Sequence, residues 1–328
     1  IVDKAPVGVH GELRAVLEAC ARPESRCRVV LSLRDILDSP EEVSRHFQRE
    51  GTFDALRRFY DMILVWGEQR VFDLVREYDL PDDIAEQVHY CGYIAPPPAA
   101  SEAPRPRKRK RIVLVTVGGG EDGNDLLESY LAALPRIRRR FASVVLTGPD
   151  LPPEDRDALQ EQVENCDRPI FLVPYSRHVD RLVRAADLVV AMGGYNTLCE
   201  IVARGRPAIV VPRINPRQEQ LIRAQRWSEL GLVTMIHPEE LTPERLAGAI
   251  EEQLHRPKLP PADGLDFDGL ARAARLLLPE NGNGNGSAGS PGTTVSPGTT
   301  ATPNTTAIPG APAPVSSPAT PAEFGGTA

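Results

Sequence analysis

Apolar runs of four to six residues recur along the second half of this chain, at 112–117, 143–147, 170–173, 187–192, 208–211 and 232–236. Between consecutive runs, apolar residues return every three or four positions. Runs of that length predict strands, and the intervening spacing predicts amphipathic helices. Strict alternation of the two predicts a doubly wound parallel sheet. Residues 1–95 show the same alternation on a smaller scale, with strand-like runs at 1–2, 29–33, 62–66 and 88–94 and helical patterns at 11–21 and 41–59. The chain opens inside an apolar run at Ile1-Val2, with no Met and no basic leader. The first sheet is therefore expected to continue upstream of residue 1, since a first strand with nothing before it exposes an edge.

Composition divides the chain further. From Pro96 it reads PPPAASEAPRPRKRKR, an extended proline-rich spacer that ends in Arg105, Arg107, Lys108, Arg109, Lys110 and Arg111. Such a basic block is either a solvated linker end or a peripheral contact for anionic lipid headgroups. Past Glu280 the sequence turns to NGNGNGSAGSPGTTVSPGTT and carries Glu323 as its one charged residue. So little apolar content cannot offset ordering entropy, and disorder is expected there. The expected organisation is a first domain at 1–95, a linker at 96–111, a second domain at 112–278 and a tail at 279–328.

Bulk properties narrow the function classes. With 41% hydrophobic and 25% charged residues the chain has the composition of a globular protein. A net charge of −7 argues against nucleic acid as a partner. No apolar run approaches the ~18 residues of a membrane span. The five cysteines, Cys20, Cys27, Cys91, Cys166 and Cys199, include no C-x-x-C pair. Neither a disulfide frame nor a zinc site is indicated, and thiols in a reducing cytoplasm are expected.

In doubly wound sheets ligands lie outside the carboxyl ends of the strands. Five loops, at 118–121, 147–149, 174–176, 193–196 and 213–220, are therefore expected to face one crevice. Gly118, Gly119 and Gly120 have neither dinucleotide-fingerprint spacing nor the lysine of a P-loop; they permit close approach without naming a cofactor. Gly193-Gly194 joins a strand to a helix, where unpaired N–H groups and the helix dipole stabilise an anion, although a plain turn fits as well. Asn196 and Thr197 open that helix and compete with a phosphate for the same donors. Glu200, three residues after Thr197, fits a capping box or a carboxylate holding two ribose hydroxyls. The D-x-D triplets at Asp155/Asp157 and Asp266/Asp268 fall at predicted helix starts, where carboxylates cap, so no metal site is assigned. His10, Arg34 and Asp35 follow apolar runs of the first domain. His10 and Asp35 are candidates for the base that takes an acceptor proton, against an ordinary loop histidine and a surface Arg–Asp pair.

The run MGGYNTLCEIVARGRPAIVVPRINPRQEQLIRA resembles the donor-domain signature of glycosyltransferase family 28. That family includes the bacterial lipid-II-forming N-acetylglucosaminyltransferase. In the signature, a small-Gly-x-x-T-x-x-E helix start precedes G-x-P-x-I/V-x-I/V-P and a Gln-containing loop. The likeness covers 112–278 well and 1–95 more loosely. It implies an α/β protein of GT-B architecture, two Rossmann-like parallel-sheet domains facing across a cleft, with the first truncated at its N-terminus. It implies an acceptor on the first domain and a UDP-sugar on the second. Carried over by position, Gly193, Gly194, Asn196 and Thr197 would hold the diphosphate, Glu200 the ribose, and Glu219 and Gln220 the sugar, with Gly118 to Gly120 on the donor side. The implied reaction is metal-independent, inverting transfer of a hexose or N-acetylhexosamine to an unknown, lipid-linked or other, acceptor. No cofactor besides the donor is implied, and the implied location is cytoplasmic, within reach of the inner face of the membrane. Two departures bear on this. Glu219 stands at a variable position, and the family's first Gly-rich loop has no counterpart here, so donor binding with little turnover is expected. A UDP-sugar epimerase on the same fold and a non-catalytic donor-binding subunit are the alternatives.

Overall fold

The computed structural model describes residues 1–95, 110–255 and 264–278. Most of the expected linker and the whole of the expected tail lie outside the described residues. The first part runs β1 (Val2–Asp3), α1 (Arg14–Cys20), β2 (Val30–Arg34), α2 (Pro40–Glu50), α3 (Thr52–Phe59), β3 (Met62–Trp66), α4 (Leu74–Glu77), α5 (Asp82–Ala85) and β4 (Val88–Tyr90). The second runs β5 (Ile112–Thr116), α6 (Asn124–Ala133), β6 (Ala142–Leu146), α7 (Pro153–Glu164), β7 (Ile170–Val173), α8 (Val179–Ala185), β8 (Leu188–Ala191), α9 (Tyr195–Ala203), β9 (Ala208–Val210), α10 (Glu219–Glu229), β10 (Thr234–Met235), α11 (Pro243–His255) and α12 (Gly269–Leu277).

The helical pattern at 41–59 is two helices rather than one. Ser39 starts α2, its hydroxyl accepting from the Glu42 N–H, with Pro40 in the first turn. Gly51 ends α2 at φ 61°, a left-handed conformation that glycine adopts without penalty, and the chain re-enters a helix one residue later.

Every strand pairing is parallel. The first sheet has four strands in the order β1-β2-β3-β4; the second has six in the order β10-β9-β8-β5-β6-β7. The second order reverses direction between β5 and β8, and helices cover both faces, so strands such as β8 are buried throughout. That reversal opens a crevice at the carboxyl ends of β5 and β8.

Both sheets lie within one compact unit, Ile1–Glu280. An apolar cluster bridges them: Val71 and Tyr93 from the first part pack with Tyr195, Leu198 and Trp227 from the second. The Tyr93 ring meets Trp227 edge-on, with centroids 5.2 Å apart. Helix α12 follows the second domain in sequence, yet its Ala273 is buried with Val30, Met62 and Leu64 of the first sheet. Its start is fixed by the Gly269 N–H donating to the Tyr93 carbonyl at 3.0 Å. A side chain on Gly269 would meet that same carbonyl oxygen at 2.7 Å, so only glycine permits the approach.

Candidate functional site

A cavity of about 220 Å³ occupies the reversal point of the six-stranded sheet. Gly118, Gly119 and Gly120 form one wall after β5; Met192, Gly194 and Thr197 form another after β8. Arg213 and Gln220 close it from the connection between β9 and α10, and Asp150 reaches it from the loop after β6. Of the five loops expected to converge, the one at 174–176 is absent from the lining, and the one at 147–149 contributes only through the adjoining Asp150.

Each glycine has its own reason. Gly118 turns the chain at φ 71° with open space around it. Gly120, at φ 107°, packs so closely on the next loop that a Cβ would come within 2.5 Å of the Thr147 carbonyl oxygen. Gly194 precedes α9 with no side-chain cap and no heavy atom nearer than 4.0 Å to where a Cβ would stand. The first N–H groups of α9 are thus left without a side-chain acceptor, beside bare backbone that lines the cavity. Gly193 does not line the cavity; its α-carbon lies against Gln220 of α10.

The helix begins three residues earlier than a capping box at Thr197 requires. Thr197 is the third residue of α9 and Gly194 its cap, so Thr197 and Glu200 do not form that box. Thr197 instead lines the cavity, while Glu200, one turn on, lies outside its lining. Burial raises the Glu200 pKa, and the nearby Asp180 carboxylate adds to the rise against the pull of Arg204 and Arg184. Asn196 is exposed and also lies outside the lining.

Arg213 ties the floor together. Its guanidinium donates to Asp122 at 2.9 Å and to Glu219 at 3.4 Å. Burial works against its charge, but these carboxylates outweigh it and its pKa is raised. The Gln220 side-chain oxygen accepts from the Arg213 N–H at 3.2 Å, and Gln220 lines the cavity. Glu219 lies behind the lining rather than in it, and its Oε2 is buried with no hydrogen-bond partner among the described residues. A buried carboxylate oxygen in that condition has capacity for a hydroxyl donor.

Three cations gather where the first domain meets this floor. Lys4 and Arg34 stand at the carboxyl ends of the adjacent strands β1 and β2, and Lys4 takes φ 65°, unusual for a residue with a side chain. Arg34 lies 5.7 Å from the centre of the Tyr195 ring, at the start of α9. The Gln218 N–H donates to Asp38 at 2.8 Å, which brings the adjoining Arg217 to the same edge. The Lys4 pKa is lowered, first by burial and then by the charges of Arg217 and Arg34.

The two candidate bases behave differently from expectation. His10 is exposed, its backbone N–H donating to Glu12 at 2.8 Å, and it does not line the cavity. Asp35 is no surface residue. It is 2% exposed and forms a forked ion pair with Arg223 of α10, itself 1% exposed, with Nη2 to Oδ1 at 2.8 Å and Nε to Oδ2 at 3.1 Å. Both oxygens of the Asp35 carboxylate are held by Arg223, and Asp35 does not line the cavity. Arg213 opens the 213–220 loop that the strand-end rule placed at the crevice, though no role was read for it. Arg223 and Asp150 escaped the sequence reading; Arg223 lies inside an amphipathic helix and carried no local signal.

Of the D-x-D carboxylates, Asp155 stands in the first turn of α7 and Asp268 at the N-cap position of α12, where its side chain makes no capping hydrogen bond. Among the described residues no group of three or more His, Cys, Asp or Glu is arranged to hold a metal ion. Among the same residues no helix is long and apolar enough to cross a membrane.

Two facing parallel sheets with a cleft at the strand ends define the GT-B class of glycosyltransferase fold. MurG of Acinetobacter baumannii superposes with a TM-score of 0.50 at 16% identity, covering 84% of this chain and 97% of that one. The calicheamicin glycosyltransferase CalG4 superposes with a TM-score of 0.54 at 16% identity, covering 84% and 70%. More narrowly, residues 112–264 match the glycosyltransferase family 28 C-terminal domain. An uncharacterized glycosyltransferase of Methanopyrus kandleri is 30% identical over 168 residues, 51% of this chain and 44% of its own. The UDP-N-acetylglucosamine–N-acetylmuramyl-(pentapeptide) pyrophosphoryl-undecaprenol N-acetylglucosamine transferase of Lactococcus lactis is 27% identical over 143 residues, 43% of this chain and 40% of its own. The matches therefore span less than half the length of these curated relatives.

Proposed function

We propose that this protein is a glycosyltransferase that binds a UDP-sugar at the reversal point of its second sheet and passes a hexose or N-acetylhexosamine to a hydroxyl acceptor. The observation that carries the reading is the uncapped start of α9 beside Gly194, open to the cavity within a family 28 domain. A diphosphate there would be stabilised by backbone N–H groups and the helix dipole. As the glycosidic bond to phosphate breaks, the growing charge on the leaving UDP would fall on the same fixed donors, without a metal ion. The acceptor hydroxyl would attack the anomeric carbon from the face opposite the departing phosphate, losing its proton to a general base as the C–O bond forms, which inverts the configuration. The orphaned Glu219 Oε2 and the neighbouring Gln220 support a role in gripping sugar hydroxyls. Glu200 would take the ribose hydroxyls from one turn further along α9.

The acceptor is proposed to be lipid-linked and met at the inner face of the membrane. The pyrophosphoryl-undecaprenol named in the Lactococcus lactis relative supports this, as does the basic run that ends in Lys110 and Arg111. The decisive experiment is calorimetric titration with UDP, followed by transfer assays from a panel of UDP-sugars to lipid-linked and simple alcohol acceptors, with and without a chelator. UDP binding with little transfer is expected, and such transfer as occurs should be insensitive to the chelator. No affinity for UDP would overturn the reading, and UDP release or sugar isomerisation without an acceptor would replace it with epimerase chemistry.

A further inference from the structure

The forked ion pair between Asp35 and Arg223 leaves one guanidinium nitrogen free of the carboxylate, and Nη1 donates to the Gly193 carbonyl at 3.0 Å. Asp35 comes from the loop after β2, Arg223 from α10 and Gly193 from the turn before α9, so one buried cation joins the first domain to the glycine pair of the second. Its charge is secured: burial works against it, yet the Asp35 carboxylate more than compensates and the pKa of Arg223 is raised. The guanidinium also lies 5.5 Å from the centre of the Tyr195 ring, whose hydroxyl donates to the Trp66 carbonyl of the first domain at 2.9 Å.

A trans peptide is planar, so its C=O and N–H point in opposite directions. The bond between Gly193 and Gly194 is trans, the one cis bond among the described residues being Asn215–Pro216. Once Arg223 draws the Gly193 carbonyl inward, the Gly194 N–H must turn the other way, toward the cavity that Gly194 lines. Between two glycines that peptide could rotate readily, because neither residue has a Cβ to oppose it. Rotation would put a carbonyl oxygen where an anion is to bind.

We infer that Arg223, braced by Asp35 from the opposite domain, is a positioning residue that locks the Gly193–Gly194 peptide with its N–H facing the donor's diphosphate. This builds on the donor-binding reading above. It also makes the diphosphate site a property of both domains: the brace that orients the amide is supplied from across the cleft.

The test separates positioning from stability. Replacing a buried ion pair by apolar residues of similar size is often neutral for stability, whereas removing one partner leaves a buried charge unpaired. The double variant D35L/R223M should therefore melt within a few degrees of wild type, while Arg223→Met alone melts lower. The double variant should still bind UDP about tenfold or more weakly, as should R223K, whose ammonium lacks the fork needed to serve Asp35 and Gly193 together. A double variant that binds UDP within about twofold of wild type would overturn the inference. An independent measurement needs no variant: with glycine-selective ¹⁵N labelling, the Gly194 amide of the wild-type chain should shift on addition of UDP. Absence of any UDP binding by wild type would sink the donor reading itself; binding that leaves the Gly194 amide unmoved would sink this inference alone.

Discussion

Gly193 and Gln220 approach so closely that a Cβ built on Gly193 would stand 2.8 Å from the Gln220 carbonyl oxygen, whereas one on Gly194 would meet nothing nearer than 4.0 Å. The adjacent glycines thus serve different ends, one letting α10 dock on the turn and the other keeping the cavity wall bare. Gly193→Ala should overpack this contact and lower stability by about 1–3 kcal/mol. Gly194 has φ −62° and ψ 136°, which alanine adopts freely, so Gly194→Ala should melt like wild type. Its methyl group at the start of α9 should nonetheless weaken UDP binding. Thermal melts beside calorimetry check both, and equal UDP affinity in Gly194→Ala would mean that the diphosphate does not approach this backbone.

Glu200 offers a sign that distinguishes binding from support. Its pKa is raised from 4.5, chiefly by burial and then by Asp180, so the fold disfavours its ionised form. Below that ordinary value the group is protonated folded or unfolded, and stability is unaffected. As pH rises from about 4.5 through the folded pKa, the unfolded chain ionises first and this part of the stability is lost. Glu200→Gln removes that loss, so its melting temperature relative to wild type should rise across the window and stay no lower at neutral pH. If the carboxylate holds ribose hydroxyls, the same variant should bind UDP roughly tenfold to hundredfold more weakly, the loss of ~1.5–3 kcal/mol expected for charge-assisted hydrogen bonds. Unchanged affinity would remove Glu200 from the site.

The elements were legible because buried parallel strands write continuous apolar runs, and the six runs of the second domain are its six strands in order. What escaped depended on distance or on a single turn. The four-residue helices α4 and α5 are too short to show a period. Local amphipathicity says that α12 has an apolar face but not which sheet receives it. Asp35 and Arg223 are 188 residues apart, and no local pattern links them. Thr197 and Glu200 matched a capping box in spacing, but the helix takes its start from Gly194 and so carries Thr197 inside its first turn.

Sugar discrimination should reside in Glu219 and Gln220. Glu219 Oε2 lacks a partner among the described residues, and Gln220 lines the cavity. Their joint replacement by alanine should leave UDP affinity nearly intact and flatten the ranking of UDP-sugars, because a site built to bond a hydroxyl penalises analogues that misplace it. Gln225→Ala, on an exposed position of the same helix, should change neither. Competition of a UDP-sugar panel against labelled UDP reads the ranking; a double variant that keeps the wild-type order would exclude these residues from sugar contact.

Lys4, Arg34 and Arg217 converge at the meeting edge of the domains in a chain whose net charge is −7. Mutual repulsion lowers the Lys4 pKa once burial has begun to do so, and Glu219 and Asp3 offset it only in part. An anion bound nearby would relieve the repulsion, so these charges should assist donor binding through the field rather than through contact. Two consequences are measurable. Arg34→Gln or Arg217→Gln should each weaken UDP binding several-fold at low ionic strength and much less at high salt, because exposed charges are screened beyond a Debye length of about 10 Å at 0.1 M. The sign with pH follows from the lowered Lys4 pKa: anion binding favours the charged ammonium, so affinity should be full well below that pKa and decline as pH rises through it, in a window beneath the ordinary value of 10.5. In Lys4→Met that decline should disappear. A salt dependence identical in wild type and Arg34→Gln would show that the cluster does not act on the donor.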